Sequence, residues 1–377
     1  MDFGLTEGQQ MLKTSAREFL DRECPHTYVR AMEESERGYT PEMWKKLADL
    51  GWLGLVIPEK YGGLQMNFLD LSLLLEEMGR ANLPGPFFST AVTGTMALLE
   101  AGTEAQKASL LPKIAEGSAV FTLALTEPSA TWEASGIAAT AVKKGDSYAI
   151  NGTKLFVPNA HVADYLIVAA RTRQLKDVKK GITLFIVPAT SKGIHQTLLK
   201  TVASDRQSEV VFRNVSVPAE NVLGESDNGW PVVEKLIQYG AAGKCAEMIG
   251  GAQKVLEMTV DYVKQRKQFD KPIGSFQAIQ HHCANMATDV ETSMYVTYQA
   301  TWRLGEGLEA SQQVATAKAW VSDAYKRVCA LAHQCHGAIG FTKEHNLQLY
   351  TRRAKAAELA FGDADFHRES VAEAIGM

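Results

Sequence analysis

The sequence predicts an α+β protein: an N-terminal helical domain, a middle antiparallel β-barrel or sandwich, and a C-terminal helical bundle. Apolar residues recur at helical spacing towards both ends of the chain, whereas the middle consists of short β-branched or aromatic runs between turn residues. The chain has 377 residues, more than one hydrophobic core usually serves. We therefore expect three domains, at residues 1–120, 121–225 and 226–377.

Helical periodicity marks the first domain. Leu12, Ala16 and Leu20 lie on one helical face. Thr40-Pro41 provides an N-cap followed by proline at the first helical position, which predicts a helix start. The apolar run over residues 69–78 predicts a buried helix.

Turn residues separate the predicted strands of the middle domain. Lys144-Gly145-Asp146 and Asn151-Gly152 both predict tight turns, and Asn-Gly is the stronger hairpin signal. The predicted strands cover residues 121–125, 147–150, 154–157, 165–170, 182–187, 209–212 and 215–217. Such spacing without intervening helices is typical of an antiparallel barrel or sandwich.

The last domain begins with a long predicted helix over residues 230–264. Glycine costs about 1 kcal/mol relative to alanine inside a helix, so its repeated use here indicates close helix packing or space for a ligand. The glycines concerned are Gly240, Gly243, Gly250 and Gly251. Helices predicted at residues 291–303 and 311–333 complete a bundle.

Composition and charge exclude several classes of protein. The net charge is −4 and no polybasic patch is present, so we expect neither nucleic-acid binding nor membrane insertion. The five cysteines form no C-x-x-C motif, and no carboxylate accompanies the histidine pairs at ligand spacing, so we expect no metal site. No signal peptide and no run of 18 apolar residues is visible, which favours a cytoplasmic protein.

The usual nucleotide-binding and hydrolase motifs are missing. The sequence contains no G-x-x-x-x-G-K-[ST], no G-x-G-x-x-G and no G-x-S-x-G. Four other segments stand out instead. They are GWLGLVIPEKYGG at residues 51–63, LTEPSA at 125–130 with NGTKLFV at 151–157, RKQFDKPIGSFQ at 266–277, and QCHGAIGF at 334–341.

In order and spacing these segments resemble the acyl-CoA dehydrogenase family of FAD flavoproteins, across essentially the whole chain. The resemblance implies FAD as cofactor, an acyl-CoA substrate and an electron acceptor such as an electron-transferring flavoprotein. It implies that groups at Leu125 and Thr126 reach the carbonyl edge of the flavin. It also implies that Phe156 covers one face of the ring, as stacking of flat π-systems favours.

The resemblance assigns a second set of residues to the rest of the cofactor. Arg266 would bind the pyrophosphate as a permanently charged planar donor. Phe269 and Gln277 would accompany it on the adenosine side. Family members are typically tetramers, so we expect a homotetramer or a heterotetramer. In it Gln334, Gly337 and Ala338 would approach the cofactor of a neighbouring subunit.

The sequence departs from the family at the catalytic base. The family's glutamate near the C-terminus corresponds to Phe361, and a second family branch keeps its glutamate where this chain has Gly240. Two nearby acids remain as candidates. Glu247 lies two turns beyond Gly240 on the same helix, where it is either the base or the partner of a buried arginine, and Asp363 follows Phe361 by two residues.

Three functions stay open at this point. The chain is an active dehydrogenase with a relocated base, acting on a bulky or ring-bearing acyl group of lipid or steroid catabolism. Alternatively it is the base-poor subunit of a heterotetrameric acyl-CoA dehydrogenase. In the third reading the scaffold catalyses a desulfinase-like elimination or only binds acyl-CoA.

Overall fold

A computed structural model describes residues 4–377, which form two compact units. The helical unit comprises the chain up to Ala31 together with Asn67–Leu83 and Gly240–Met377. The sheet unit comprises Met32–Met66 and Pro84–Tyr239. The three predicted domains are consecutive segments of the chain, whereas each of these units combines separate segments. The predicted domain limits therefore stay a prediction.

Eleven α-helices lie within the described residues. They are α1 (Glu7–Glu23), α2 (His26–Glu34), α3 (Pro41–Asp49), α4 (Phe68–Ala81), α5 (Thr95–Ala101), α6 (Glu104–Ala115), α7 (Trp230–Gln265), α8 (Gln277–Gly305), α9 (Ser311–His336), α10 (Leu347–Leu359) and α11 (Ala364–Ala374). A π-helical segment, Phe88–Gly94, precedes α5.

The part of the chain that the structure describes has ten strands, and only β3 and β7 are longer than seven residues. They are β1 (Phe121–Ala124), β2 (Thr140–Lys144), β3 (Ser147–Pro158), β4 (Tyr165–Arg171), β5 (Ile182–Pro188), β6 (Ile194–Leu199), β7 (Gln207–Pro218), β8 (Val222–Leu223), β9 (Lys267–Gln268) and β10 (Lys271–Pro272). The eight-stranded sheet has the order β6-β7-β3-β2-β4-β5-β8, and β1 pairs with β4.

The fold class predicted from the sequence is confirmed, with one refinement to the sheet. Its long ladders are antiparallel, but β1 pairs with β4 in parallel and β2 touches β4 in parallel at one position. Its core is formed by buried apolar residues from β1 to β5 and β7, among them Ile150, Phe185 and Phe212.

Local signals predicted several helices correctly. Thr40 caps α3, because its hydroxyl accepts a hydrogen bond from the Met43 N–H at 3.1 Å. The buried helix expected at residues 69–78 is α4. Helix α8 begins at Gln277, well before the predicted position, because the sequence between there and Glu291 lacks a clear apolar face.

The predicted hairpin at Asn151-Gly152 is wrong. β3 runs through both residues as one strand, with a shift of register against β7 between Ile150 and Gly152. Gly152 has φ +148°, and a Cβ on it would overlap Ala139. The Asn-Gly pair therefore marks a bulge with a close backbone approach. The real hairpin joins β2 and β3 through Gly145, which has φ +59°.

Glycines allow α7 to pack directly against α4 in the helical unit. A Cβ on Gly250 would overlap the carbonyl of Glu76, and a Cβ on Gly79 would overlap the carbonyl of Glu247. The two backbones are thus in contact at their crossing. Among residues 4–377 no helix has the length and apolar character needed to span a membrane.

Candidate active site

A buried ion pair fixes the segment that follows β1. The ammonium of Lys154 lies 2.6 Å from a carboxylate oxygen of Glu127, and both side chains are buried. Lys154 also donates to the Leu125 carbonyl at 3.2 Å, while Glu127 accepts from the Ala138 and Ala139 N–H groups. Burial lowers the pKa of Lys154, and the Glu127 carboxylate counteracts this shift.

This network holds Leu125 and Thr126 in place. Leu125 is buried, Thr126 is half-buried, and the Thr126 carbonyl accepts from the Leu155 N–H at 2.8 Å. Neither Lys154 nor Glu127 stands out in the sequence as a site residue. An isolated lysine in a predicted strand gave no sign that its charge would be buried opposite a carboxylate from another segment.

Phe156 is held in a strained and exposed position. It lies in a register shift of the β3–β7 ladder between Lys154 and Val157, and its φ is +53°. A bulky residue rarely adopts this left-handed conformation. The side chain is 51% exposed, and the N–H of the preceding residue, Leu155, donates to the Thr126 carbonyl. An exposed aromatic ring on a strained backbone is typical of a ligand-stacking position.

Arg266 and Phe269 lie at a small hairpin of the helical unit. Strands β9 and β10 are joined by Phe269 and Asp270, with φ +52° and +61°. The Phe269 ring is 86% exposed. The Arg266 side chain is exposed, and its guanidinium has no hydrogen bond or ion pair within residues 4–377. Both side chains are therefore available to a ligand.

The remaining predicted cofactor residues are also exposed. Gln277 is the first residue of α8, and Gln334 lies in the last turn of α9. Gly337 ends α9 with φ +65°, and Ala338 follows it. Nothing lies within 4 Å of a Cβ on Gly337 in the described chain, so this glycine serves backbone conformation and leaves the surface open.

Phe361 occupies the position expected for the family's base and packs on Gly240. A Cβ on Gly240 would overlap the Phe361 ring. Phe361 is buried with φ +57°, and Gly362 follows with φ +90°. The glycine stripe of α7 is therefore covered at three positions: by Phe361 at Gly240, by α4 at Gly250 and by Tyr325 at Gly251. Of the two alternatives predicted for these glycines, close packing is confirmed at the three positions and space for a ligand is wrong, because helix and ring packing fill it.

Glu247 already has a partner. Its carboxylate lies 2.6 Å from the Lys244 ammonium, and both side chains are mostly buried. The alternative prediction for Glu247 is a structural role as the partner of a buried arginine. Glu247 does have an ion-pair partner, but it is Lys244 and not an arginine. A lysine one turn earlier on the same helix takes that place because i, i+3 neighbours face each other.

Asp363 caps α11. One of its carboxylate oxygens accepts from the Phe366 N–H at 2.9 Å. The side chain is half-buried and has no ion pair within the described part of the chain. Of the two predicted base candidates, Asp363 is the one whose carboxylate has no cationic partner.

Behind Phe361 and Asp363 lie two buried titratable groups that the sequence analysis missed. His367 donates from Nε2 to the Phe361 carbonyl at 2.8 Å, and burial lowers its pKa to about 4. Lys318 donates to the Glu358 and Gly362 carbonyls, each at 2.7 Å. Both contacts depend on backbone carbonyls, which carry no signal in the sequence.

Three family models together cover almost the whole chain. They describe the acyl-CoA dehydrogenase N-terminal domain over residues 6–118, the middle domain over 122–215 and the C-terminal domain over 227–376. The chain belongs to the acyl-CoA dehydrogenase family. The resemblance seen in the four sequence segments is thus confirmed over the full length.

Individual relatives agree with this assignment. The probable acyl-CoA dehydrogenase YngJ of Bacillus subtilis is 34% identical, with 100% of each chain covered. The caffeyl-CoA reductase-Etf complex subunit CarC of Acetobacterium woodii is 32% identical, with 91% of each chain covered. The structure of butyryl-CoA dehydrogenase from Megasphaera elsdenii is similar with a TM-score of 0.93 at 31% identity, covering 100% of each chain.

As a member of the acyl-CoA dehydrogenase family, the chain is an FAD-dependent oxidoreductase. Its described residues fit this cofactor. Phe156 offers an exposed ring at the place expected for stacking on the flavin. Arg266 offers an unpaired guanidinium suited to a pyrophosphate. The expected cofactor is therefore supported by side chains that have no other partner in the described chain.

Proposed function

We propose that this member of the family is an acyl-CoA dehydrogenase that introduces an α,β double bond into an acyl-CoA thioester. The observation that carries the proposal is Phe156, a phenylalanine strained at φ +53° whose ring is half exposed. Such a conformation persists only where the surrounding structure enforces it, and it is common at functional sites. Bound FAD supplies the oxidant that accepts the substrate's β-hydride.

The cofactor contacts follow from this proposal. Leu125, Thr126 and Phe156 would hold the flavin ring, and the Lys154–Glu127 pair would keep the first two in place. Arg266 would neutralise the pyrophosphate, with Phe269 and Gln277 at the adenosine. Each of these three side chains is exposed in the described chain, which supports such a role.

We propose Asp363 as the base that removes the substrate's α-proton. Its carboxylate lies two residues beyond Phe361 and, among residues 4–377, has one backbone hydrogen bond and no ion pair. Glu247 is the competing candidate, but its charge is already balanced by Lys244 at 2.6 Å. A base must accept a proton at working pH, which a tight cationic partner opposes.

A second candidate function is the base-poor subunit of a heterotetramer. The observation that favours it is the Phe361 ring, which covers Gly240 and so fills the two positions where the family keeps its glutamate. In that case a partner chain of similar size would supply the carboxylate, and this chain would contribute cofactor contacts.

Anaerobic flavin reduction by acyl-CoA thioesters tests the proposal. Butyryl-CoA and phenylpropionyl-CoA are suitable probes, since the relatives' names include a butyryl-CoA dehydrogenase and a caffeyl-CoA reductase. We expect Asp363→Asn to keep flavin and stability, because asparagine also caps helices, but to slow flavin reduction at least about 10²-fold. Exposed Asp365→Asn in the same helix is the control.

The alternatives give different results. If Glu247→Gln rather than Asp363→Asn slows reduction, the base lies on α7. If neither does so while a second chain co-purifies, the base-poor subunit is the better assignment. A protein without a flavin absorbance band would contradict both functions.

We also propose that the protein works as a homotetramer or heterotetramer that passes electrons to an electron-transferring flavoprotein, in the cytoplasm. The exposed positions of Gln334, Gly337 and Ala338 support assembly, because within residues 4–377 they leave this part of the surface open. A relative bears an electron-transferring flavoprotein complex in its name. Light scattering that showed a stable monomer with bound flavin would contradict the assembly.

A further inference from the structure

Lys318 is a buried cation without an ion-pair partner. It lies in the N-terminal half of α9 and its side chain is 0% exposed. No carboxylate lies within ion-pair distance of its ammonium among the described residues. Buried lysines are rare, and a charge is retained in such a place only when dense hydrogen bonding replaces its water.

Backbone carbonyls supply that hydrogen bonding. The ammonium donates to the Glu358 carbonyl and to the Gly362 carbonyl, each at 2.7 Å, and to the Ser322 hydroxyl at 3.3 Å. All three donors of the ammonium are therefore used. The Glu358 carbonyl belongs to the last turn of α10, where a helix end favours a cation. The Gly362 carbonyl belongs to the connection between α10 and α11.

That connection is the most constrained backbone near the proposed base. Phe361 and Gly362 both have positive φ, at +57° and +90°. The Phe361 carbonyl accepts from His367, and Asp363, two residues later, caps α11. A left-handed phenylalanine requires its surroundings to hold it in place. Lys318 and His367 provide the two side-chain hydrogen bonds to this turn from α9 and α11.

We propose that Lys318 is a positioning residue for the dehydrogenase reaction. By binding the carbonyls of Glu358 and Gly362, it fixes the turn that places the Phe361 ring over Gly240 and directs the Asp363 carboxylate. Burial lowers the pKa of Lys318 to about 8, so its ammonium keeps all three donors at neutral pH. This inference rests on the proposed function, because the turn matters for catalysis only if Asp363 acts on the substrate.

Lys318→Met tests the inference, with Lys326→Met as the matched control on the same helix. Lys326 pairs with the carboxylates of Asp323 and Glu358 and donates to no carbonyl of the turn. We expect Lys318→Met to speed amide hydrogen exchange in residues 361–366 at least tenfold. We also expect it to slow flavin reduction by butyryl-CoA or phenylpropionyl-CoA at least tenfold, with the thioester's Kd changed less than threefold. The control should change neither.

A purely structural role gives another pattern. Faster exchange spread over all helices of the unit, or a reduction rate within twofold of the wild type, would overturn the inference. Lys318→Gln keeps a hydrogen-bond donor on a shorter side chain and should give intermediate effects. If Lys318→Met does not fold, Lys318→Gln is used for the test in its place. A wild-type flavin that no thioester reduces would refute the proposed function instead, and the exchange data would still show whether Lys318 holds the turn.

Discussion

At the scale of single residues, backbone strain coincides with the predicted site. Phe156, Phe269 and Phe361 are the aromatic residues with left-handed φ among residues 4–377. All three lie at positions that the family resemblance assigns to the cofactor or the base. Such a conformation costs on the order of 1–3 kcal/mol for a bulky side chain. The fold tolerates this conformational free-energy cost at the three positions where the placement of the ring matters for the proposed chemistry.

Phe156→Gly should separate the stability of the fold from cofactor binding. Glycine adopts positive φ freely and the phenyl ring is half exposed, so we expect the apo-protein's free energy of unfolding to stay equal or rise by up to about 1 kcal/mol. Flavin retention should fall, because the stacking ring is lost. Urea unfolding and flavin occupancy after dialysis measure the two effects. A stability loss above about 2 kcal/mol with normal flavin content would mean that the ring serves the sheet.

Arg266→Ala should weaken FAD retention by ten- to a hundredfold. Losing a charge-assisted hydrogen bond costs about 1.5–3 kcal/mol. The guanidinium has no partner within the described residues, so the fold should be unaffected. Lys267→Ala, which removes an exposed positive charge from the next residue, is the control for general electrostatics. Equal flavin occupancy in both variants would exclude the pyrophosphate contact.

At the scale of elements, the crossing of α4 and α7 depends on glycine. Gly250 faces the Glu76 carbonyl and Gly79 faces the Glu247 carbonyl, so each helix presents a glycine to the other's backbone. Ion pairs connect α1 to α4: Lys13 lies 2.6 Å from Glu76, and Arg17 lies 2.8 Å from Glu77. The buried acids of α4 thus serve helix packing.

Gly250→Ala should destabilise the helical unit despite alanine's higher helix propensity. The new methyl group meets backbone that cannot move independently, and overpacking of this kind costs about 1–3 kcal/mol. Gly8→Ala in α1 is the control. Nothing lies within 4 Å of its Cβ, so that change should stabilise by up to about 1 kcal/mol. Thermal unfolding of both variants measures these two changes in stability. A stabilising effect of Gly250→Ala would refute the tight crossing of α4 and α7.

At the scale of the whole molecule, buried and half-buried histidines make stability fall in acid. Burial lowers the pKa of six histidines spread over both units. They are His26, His161, His333, His336, His345 and His367. Each takes up a proton more readily in the unfolded chain. Below about pH 6.5 the unfolded state therefore binds more protons, and stability falls as the pH decreases.

His367 gives the sharpest form of this prediction. Its pKa is lowered to about 4, so its contribution is complete above pH 6.5 and is lost as the pH falls towards 4. The loss amounts to about 3 kcal/mol. Urea unfolding at pH 7.0, 5.5 and 4.5 should show this decline, and His367→Gln should show a shallower one. An equally steep decline in the variant would assign the acid sensitivity to the other histidines.

Much of the molecule could be predicted from its sequence because the relevant signals are local. Helical periodicity and the Thr40-Pro41 cap identified α1, α3 and α4, and β-branched runs identified most strands of the sheet. Five strands were missed: the two-residue strands β8, β9 and β10, and the longer β2 and β6. Most positions of β2 and β6 are exposed, so these two strands lack the regular alternation of apolar and polar residues that would indicate a strand. The four motif segments were sufficient to indicate the family and its cofactor.

The sequence by itself thus determined the α+β architecture, the family and FAD, since periodicity, turn residues and motif order are all written along the chain. Only the tertiary structure showed that β3 passes through Asn151-Gly152, that Phe361 covers Gly240, and that Lys318 binds the carbonyls of the turn before Asp363. The physical reason is the same in each case. These features depend on backbone atoms of segments distant in sequence, and a backbone carbonyl or a close approach to a glycine leaves no mark in residue type.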